Sequence, residues 1–437
     1  MWRSADNNAA SARHPDVLYP DAGFWFLLSG FCFPFCLLPS AFHYTPCMAS
    51  FTFVTAGESH GPALTVVLTG IPAGLALDRV RINRELARRQ HGYGRGGRMK
   101  IESDEAEITA GVRGGETLGS PISITIRNRD FENWRGAMDP WTTDESDRQK
   151  RRVHSPRPGH VDLAGGMKYD RHDLRDILER GSARETAARV AAGAIARELL
   201  AAFGIELRSA VVSVGGAGDP HLSPTWEDFA AVDDDSPLRA ARPADEPAMI
   251  AAVDLAHEAG ETLGGTIVIV AHGVPVGLGS YVQWSEKLDG RIGQAILSIH
   301  AVKAVAIGDG VAAAGRNGSE VHDPIYFDEE RRYHRKSNRA GGLEGGVTNG
   351  QDLVVRAYMK PISTLRRGLP SVDIEVRKPH RSQWERSDVT AVPACGVICE
   401  AMLAIVLCDA MRAKFGGDSM AEMTRNYQAY MEQIRRW

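Results

Sequence analysis

Six short clusters combine a cation or an imidazole with glycines and hydroxyls, residue types that bind anions and move protons near neutral pH. Gly57-Glu58-Ser59-His60-Gly61 follows a strand-like run and offers His60 where glycines let a ligand approach the backbone, though alone it also reads as a plain turn. Arg157-Pro158-Gly159-His160, followed by Asp162, sets a guanidinium and a second imidazole on a rigid turn. Arg180-Gly181-Ser182-Ala183-Arg184-Glu185 opens a helix, where free amides, the helix dipole and Arg180 favour a phosphate group. Ser182 and Glu185 are already explained there as a capping box. The run 337–350 is so rich in glycine and hydrogen-bonding side chains that a ligand cradle is expected rather than a linker. Lys360-Pro361-Ile362-Ser363-Thr364 and Arg386-Ser387-Asp388 each pair a cation with hydroxyls or a carboxylate.

Alternating apolar runs predict the strands that must position these clusters: 51–54, 64–68, 122–126, 211–214, 266–271 and 353–358. Helices are predicted between them. Asp78 caps one over 79–89, Ser182 begins another that Gly204 stops, and the apolar stretch 393–415 should be a buried helix. Strands and helices mix along the chain without a linker, which points to an α+β or α/β sandwich in one large domain.

With 43% hydrophobic and 24% charged residues the chain is not of disordered type. A formal net charge of −4 argues against a protein that coats nucleic acid or an anionic membrane, so any bound anion must be held locally. The 42 arginines against 9 lysines suit a small anionic substrate, although codon composition explains a bulk excess equally well. Gly92-Tyr93-Gly94-Arg95-Gly96-Gly97-Arg98 is RGG-like but occurs once. Six cysteines show no CxxC pair, so no metal site or disulfide framework is expected, and Cys395 and Cys399 read as core thiols. Residues 1–47 differ in composition and hold six of the 13 phenylalanines. Their apolar stretch is broken by Pro34 and lacks a basic flank, unlike a membrane span or signal peptide. Met48 is the expected biological start, leaving 1–47 as an N-terminal extension and 48–437 as the catalytic domain.

Taken in order, 57–61, Arg157 to His160 with Asp162, the helix from Ser182, Gly308-Asp309-Gly310, 337–350, Lys360-Pro361 with Ser363-Thr364, and Arg386 with Asp388 resemble the chorismate synthase family. The resemblance covers nearly everything from Phe51 to about Asp418. It implies a β-α-β sandwich, assembled as a homotetramer in the cytoplasm, with no nucleic-acid or membrane partner. The implied reaction is a carbon–oxygen lyase step, 1,4-anti elimination of phosphate from 5-enolpyruvylshikimate 3-phosphate to give chorismate. Reduced FMN is required without net redox change, supplied by an external flavin reductant with NADPH as an indirect source.

By the same resemblance, Arg89, Arg95, Arg157 and Arg386 bind substrate, and Arg89 and Arg95 also match positions associated with a nicotinamide cofactor. His60 would give a proton to the leaving phosphate, His160 would support the reduced flavin, and Asp388 would prepare it for loss of the C6 hydrogen. Flavin-binding positions carry over to Arg180, Gly181, Ser182, His300, Ala301, Gly345, Lys360, Pro361, Ile362, Ser363, Thr364 and Arg386. His300 stands where the family commonly has an amide residue. Two rival classes use the same clusters differently: a flavin reductase without elimination chemistry, and an RNA-binding module.

Overall fold

The alternating runs assemble into two antiparallel sheets in the computed structural model, which describes residues 50–96, 103–385 and 388–437. The first sheet contains β1 (Thr52–Ala56), β2 (Ala63–Thr69), β3 (Glu107–Ala110) and β4 (Ile122–Arg127), in the order β1-β2-β4-β3. Its register places Leu64 opposite Ile126, Val66 opposite Ile124 and Leu68 opposite Ile122. All six side chains are buried on one face, as the two-residue period of a strand requires. The second sheet contains β5 (Glu206–Val214), β6 (Gly265–His272), β7 (Val302–Ile307) and β8 (Leu353–Met359), ordered β7-β8-β6-β5 with a two-residue edge at Ala217–Gly218.

Helices fill the space between. α1 (Arg79–Gln90) follows the first hairpin, capped by Asp78, whose carboxylate accepts from the Val80 amide at 2.8 Å. Short α2 (Asp162–Tyr169) and α3 (Arg175–Gly181) lead into α4 (Thr186–Ala201), which packs on the first sheet. α5 (Leu288–Leu297) precedes β7, and α6 (Val392–Phe415) lies against α4 on one side and β5 and β6 on the other. A Cβ on Gly193 would come within 2.4 Å of the Ala401 Cβ, so this glycine sets how closely α4 and α6 approach. The layers are thus sheet, helices, sheet, as the resemblance implies. Among the described residues α6 alone is long and apolar enough to cross a membrane, and 94% of that stretch is buried within the fold.

One local expectation changes. Ser182 does cap the turn before α4, accepting from the Arg184 amide at 3.3 Å, but Glu185 does not complete a capping box. Its carboxylate instead accepts from Thr55 Oγ1 at 2.7 Å and from Arg189, pinning β1 to α4. A final helix, α7 (Met420–Arg436), buries Met423 beneath the end of α6.

Candidate active site

Residues 57–61 leave β1 in a tight turn, closed by the Gly61 amide donating to the Glu58 carbonyl at 3.2 Å. Asn128, just after β4, fastens this turn by donating to the carbonyls of Glu58 at 3.1 Å and Gly61 at 2.7 Å. His60 projects from it. Its backbone amide donates to Glu179 Oε2 at 2.7 Å, and its Nδ1 lies 2.9 and 3.1 Å from the two oxygens of that carboxylate. Burial works to raise the Glu179 pKa, but the hydrogen bonds from His60 and the charge of Arg175 win, holding it below the usual carboxylate range. Trp134 stacks on the imidazole with ring centroids 3.8 Å apart. With Nδ1 committed to Glu179, Nε2 is the ring nitrogen left without a hydrogen-bond partner among the described residues.

A second imidazole is held by a second buried carboxylate. Asp162, the first residue of α2, accepts from His160 Nδ1 at 2.6 Å, from Arg157 Nε at 2.8 Å and from Arg157 Nη2 at 3.0 Å. Burial opposes ionisation, yet these donors hold Asp162 far below the usual carboxylate range. The remaining arm of Arg157 donates to Thr364 Oγ1 at 2.9 Å, tying this turn to the segment after β8. A Cβ on Gly181 would meet Val161 Cγ1 at 2.6 Å and His160 Cε1 at 3.3 Å, so glycine lets the end of α3 pass beside the ring.

Arginines crowd the facing wall. Arg89, in the last turn of α1, donates from Nε to Thr186 Oγ1 and from Nη2 to the Ala183 carbonyl, each at 3.0 Å. Its Nη1 is buried without a hydrogen-bond partner among the described residues, with Asp104 Oδ2 3.6 Å away. Asp104 is engaged more closely by Arg184, at 2.6 and 2.7 Å. Burial, only partly offset by Asp104, and then the charges of Arg184 and Arg95 pull the Arg89 pKa down to about 10. Arg95 Nη1 pairs with Asp388 Oδ2 at 2.8 Å, while Asp388 Oδ1 accepts from the Gly96 amide at 2.6 Å. The described part of the basic loop, 92–96, is therefore folded in, with the Val389 amide donating to the Gly94 carbonyl at 2.8 Å; Gly97 and Arg98 lie outside the described residues.

These walls enclose a chamber of about 1000 Å³, at the upper end of the range for small-molecule sites. One side is apolar, formed by Met359, Ile362, Ala391, Ala394 and Ile398. Beside it Lys360 Nζ donates to Ser363 Oγ at 2.9 Å, and Ser363 Oγ donates to the Gly159 carbonyl at 2.8 Å. His300 borders the same space with a buried Nδ1 that has no hydrogen-bond partner among the described residues, and burial pushes its pKa down to about 4, so it is neutral at pH 7. Ala301 adopts a left-handed φ of 66°, held as its carbonyl accepts from the Lys360 amide at 2.9 Å.

A family model for chorismate synthase matches residues 51–412. The chain belongs to the chorismate synthase family. Chorismate synthase from Geobacter sulfurreducens is 53% identical over 390 residues, covering 88% of this chain and 99% of that one. The Brevibacillus brevis enzyme is 50% identical over 385 residues, covering 87% and 100%. A crystal structure of a chorismate synthase superposes with a TM-score of 0.72 at 42% identity, covering 90% of this chain and all of the other.

Of the residues expected from sequence, the chamber gathers His60, His160, Asp388, Arg89, Arg95, Arg157, Gly181, Ser182, His300, Ala301, Lys360, Ile362, Ser363 and Thr364. Arg386 lies outside the described residues. Pro361 follows Lys360 in the same segment without lining the chamber. Arg180 turns away, donating to Thr55 O at 2.9 Å and Gly57 O at 3.3 Å, and borders a small open cavity on the far side of His300. Gly345 is also elsewhere, in the tight connection between Leu343–Glu344 and Val347–Thr348. The run 337–350 is scaffold within this chain. Asp323 accepts from Ser337 Oγ and from the amides of Arg339 and Ala340, and Asn338 bridges the Asp352 carbonyl and the Gly342 amide.

Four residues that shape the site were missed. Arg184 lay inside a quoted motif, and Glu179 immediately before it. Trp134 and Asp104 carried no local signal.

Proposed function

We propose that the chamber converts 5-enolpyruvylshikimate 3-phosphate to chorismate, the reaction of its family. The observation that carries this reading is the pairing of two carboxylate-clamped imidazoles with an arginine-crowded wall in one chamber. A substrate with one phosphate and two carboxylates relieves the mutual repulsion of Arg89, Arg95 and Arg184, and guanidinium forks bind such groups strongly away from bulk water. His60, presenting Nε2, delivers a proton to the departing phosphate oxygen as the carbon–oxygen bond breaks. Arg157 has each of its three nitrogens engaged by Asp162 or Thr364, so it fixes the carboxylate that holds His160 as well as adding positive charge.

The residues fit reduced FMN. The apolar side suits a planar ring system, the amides at 181–183 and the Lys360, Ser363 and Thr364 side chains suit its polar groups, and His300 Nδ1 is a buried hydrogen-bonding atom. Bound reduced flavin supplies electron-rich chemistry that assists loss of the C6 hydrogen without net oxidation. His160 sits beside these residues, with its Nδ1 held by Asp162. The reductant is external, with NADPH as its indirect source. We take residues 48–437 as the catalytic unit, which the family match from residue 51 supports. Buried free thiols at Cys395, Cys399 and Cys408 suit a reducing cytoplasm. Exposed Ile325, Phe327, Tyr333 and Trp437 supply apolar surface for a homotetramer.

Added inorganic phosphate is expected to raise the apparent KM for substrate and leave kcat unchanged. Steady-state rates at several phosphate concentrations test this, and an unmoved KM would argue against an arginine clamp. Asp388→Asn should lower turnover and also weaken substrate affinity, because Asp388 anchors Arg95 as well as facing the chamber. A loss confined to kcat in the same assay would free Asp388 of that anchoring role.

A further inference from the structure

The hydrogen-bonded chain behind His60 runs deeper than the residues lining the reaction space. Arg175 Nη1 lies 3.4 Å from Glu179 Oε1, and its Nη2 donates to Glu385 Oε1 at 2.7 Å. Arg175 Nε donates to the Arg151 carbonyl at 2.7 Å, while the Arg151 guanidinium stacks on Trp134 at 3.9 Å from the ring centre. The Trp134 indole N–H donates to Asp130 Oδ2 at 3.1 Å. The charged groups around His60 are therefore Glu179 and Arg175 from α3, Arg151 and Asp130 across Trp134, Glu385 beyond Arg175, and Glu58 on its own turn. Among the described residues Glu179 alone bonds the ring.

We propose that Glu179 is a positioning residue for proton delivery: it accepts the Nδ1 proton of His60, presents Nε2 to the chamber, and gives the protonated ring a buried counter-charge. The inference rests on His60 being the proton donor. One carboxylate grips both the backbone amide and the ring of the same residue, which fixes rotamer and tautomer together. Trp134 closes one ring face, and Arg175 keeps the carboxylate from turning away. Gln at 179 preserves shape and can still accept from the His60 amide, but it removes the charge.

Glu179→Gln is expected to lower kcat at least about tenfold, with substrate KM and FMN affinity changing by less than about threefold. A protonated donor loses activity as pH rises, so losing its counter-charge should move the alkaline limb of the kcat profile to lower pH. Nitrogen-15 NMR of histidine-labelled, flavin-free protein should show the proton of neutral His60 on Nδ1 in the parent and a mixture of tautomers in the variant. Glu179→Asp should recover part of kcat and of the limb position. An unmoved limb and unchanged tautomer, with only a lower melting temperature, would make Glu179 structural and overturn the proposal. His60→Ala separates the two readings: full activity there removes the donor assignment itself. An inactive His60→Ala beside an unperturbed Glu179→Gln removes only the role of Glu179.

Discussion

His60→Ala should bind FMN as the parent does and turn over roughly 10²-fold more slowly or worse, the usual worth of a positioned general acid. The expectation follows from where the ring is anchored. Nδ1 and one face of the imidazole are committed to Glu179 and Trp134, so within the chamber the substitution deletes Nε2, while Glu179 keeps the His60 backbone amide and Arg175. The arginine wall and the apolar side do not depend on that side chain. Single-turnover phosphate release with reduced FMN, alongside a flavin titration, separates chemistry from binding. Unchanged turnover would take His60 out of the mechanism, and a matching loss of flavin affinity would make it a scaffold residue.

Glu400→Gln should cost about 3–5 kcal/mol of stability, because removing one partner of a buried ion cluster leaves charges unpaired. Glu400 is fully buried on α6, where it accepts from Arg88 at 2.8 and 3.0 Å, from Ser209 Oγ at 2.6 Å and from Arg197. Burial acts to raise its pKa, but Arg88 and Arg197 hold it well below the usual range. Arg239 is less fully matched, and burial together with Arg88 pulls its pKa down to about 10. A depressed carboxylate pKa contributes stability above the unfolded value of about 4.3, and that contribution fades as pH falls through the folded value. The parent should therefore weaken below about pH 4 more steeply than the Gln variant. Urea unfolding at pH 7 and at about pH 3 measures both effects, and a change at pH 7 under about 1 kcal/mol would show that the cluster is not held as a charged unit. The consequence reaches the site, since Arg88 and Arg89 are neighbours in the last turn of α1, one facing Glu400 and the other the chamber.

Much of this was legible along the chain because its signals are local. The strands around Leu64 and Ile126 and the Asp78 cap of α1 are written within a few residues of where they act. β5 begins at Glu206, five residues before the predicted 211, because Arg208 and Ser209 interrupt its apolar run. Ser209 is polar there for a tertiary reason, its bond to Glu400. The clusters around His60, His160 and Lys360 were visible as glycine-flanked polar runs, and the fold brings them to one chamber. Their partners were not visible. His60 and Glu179 are 119 positions apart, and Arg184 meets Asp104 across 80, so neither pairing leaves a mark on local spacing. In the run 337–350 glycine density goes with tight backbone approach, made by the chain to itself through Asp323 and Asn338.

The central claim is elimination of phosphate with reduced flavin present and unconsumed. The full-length protein, held anaerobically with dithionite-reduced FMN and 5-enolpyruvylshikimate 3-phosphate, should release chorismate and phosphate in equal amounts, and neither with oxidised FMN. No chorismate from folded, flavin-binding protein under those conditions would contradict the account.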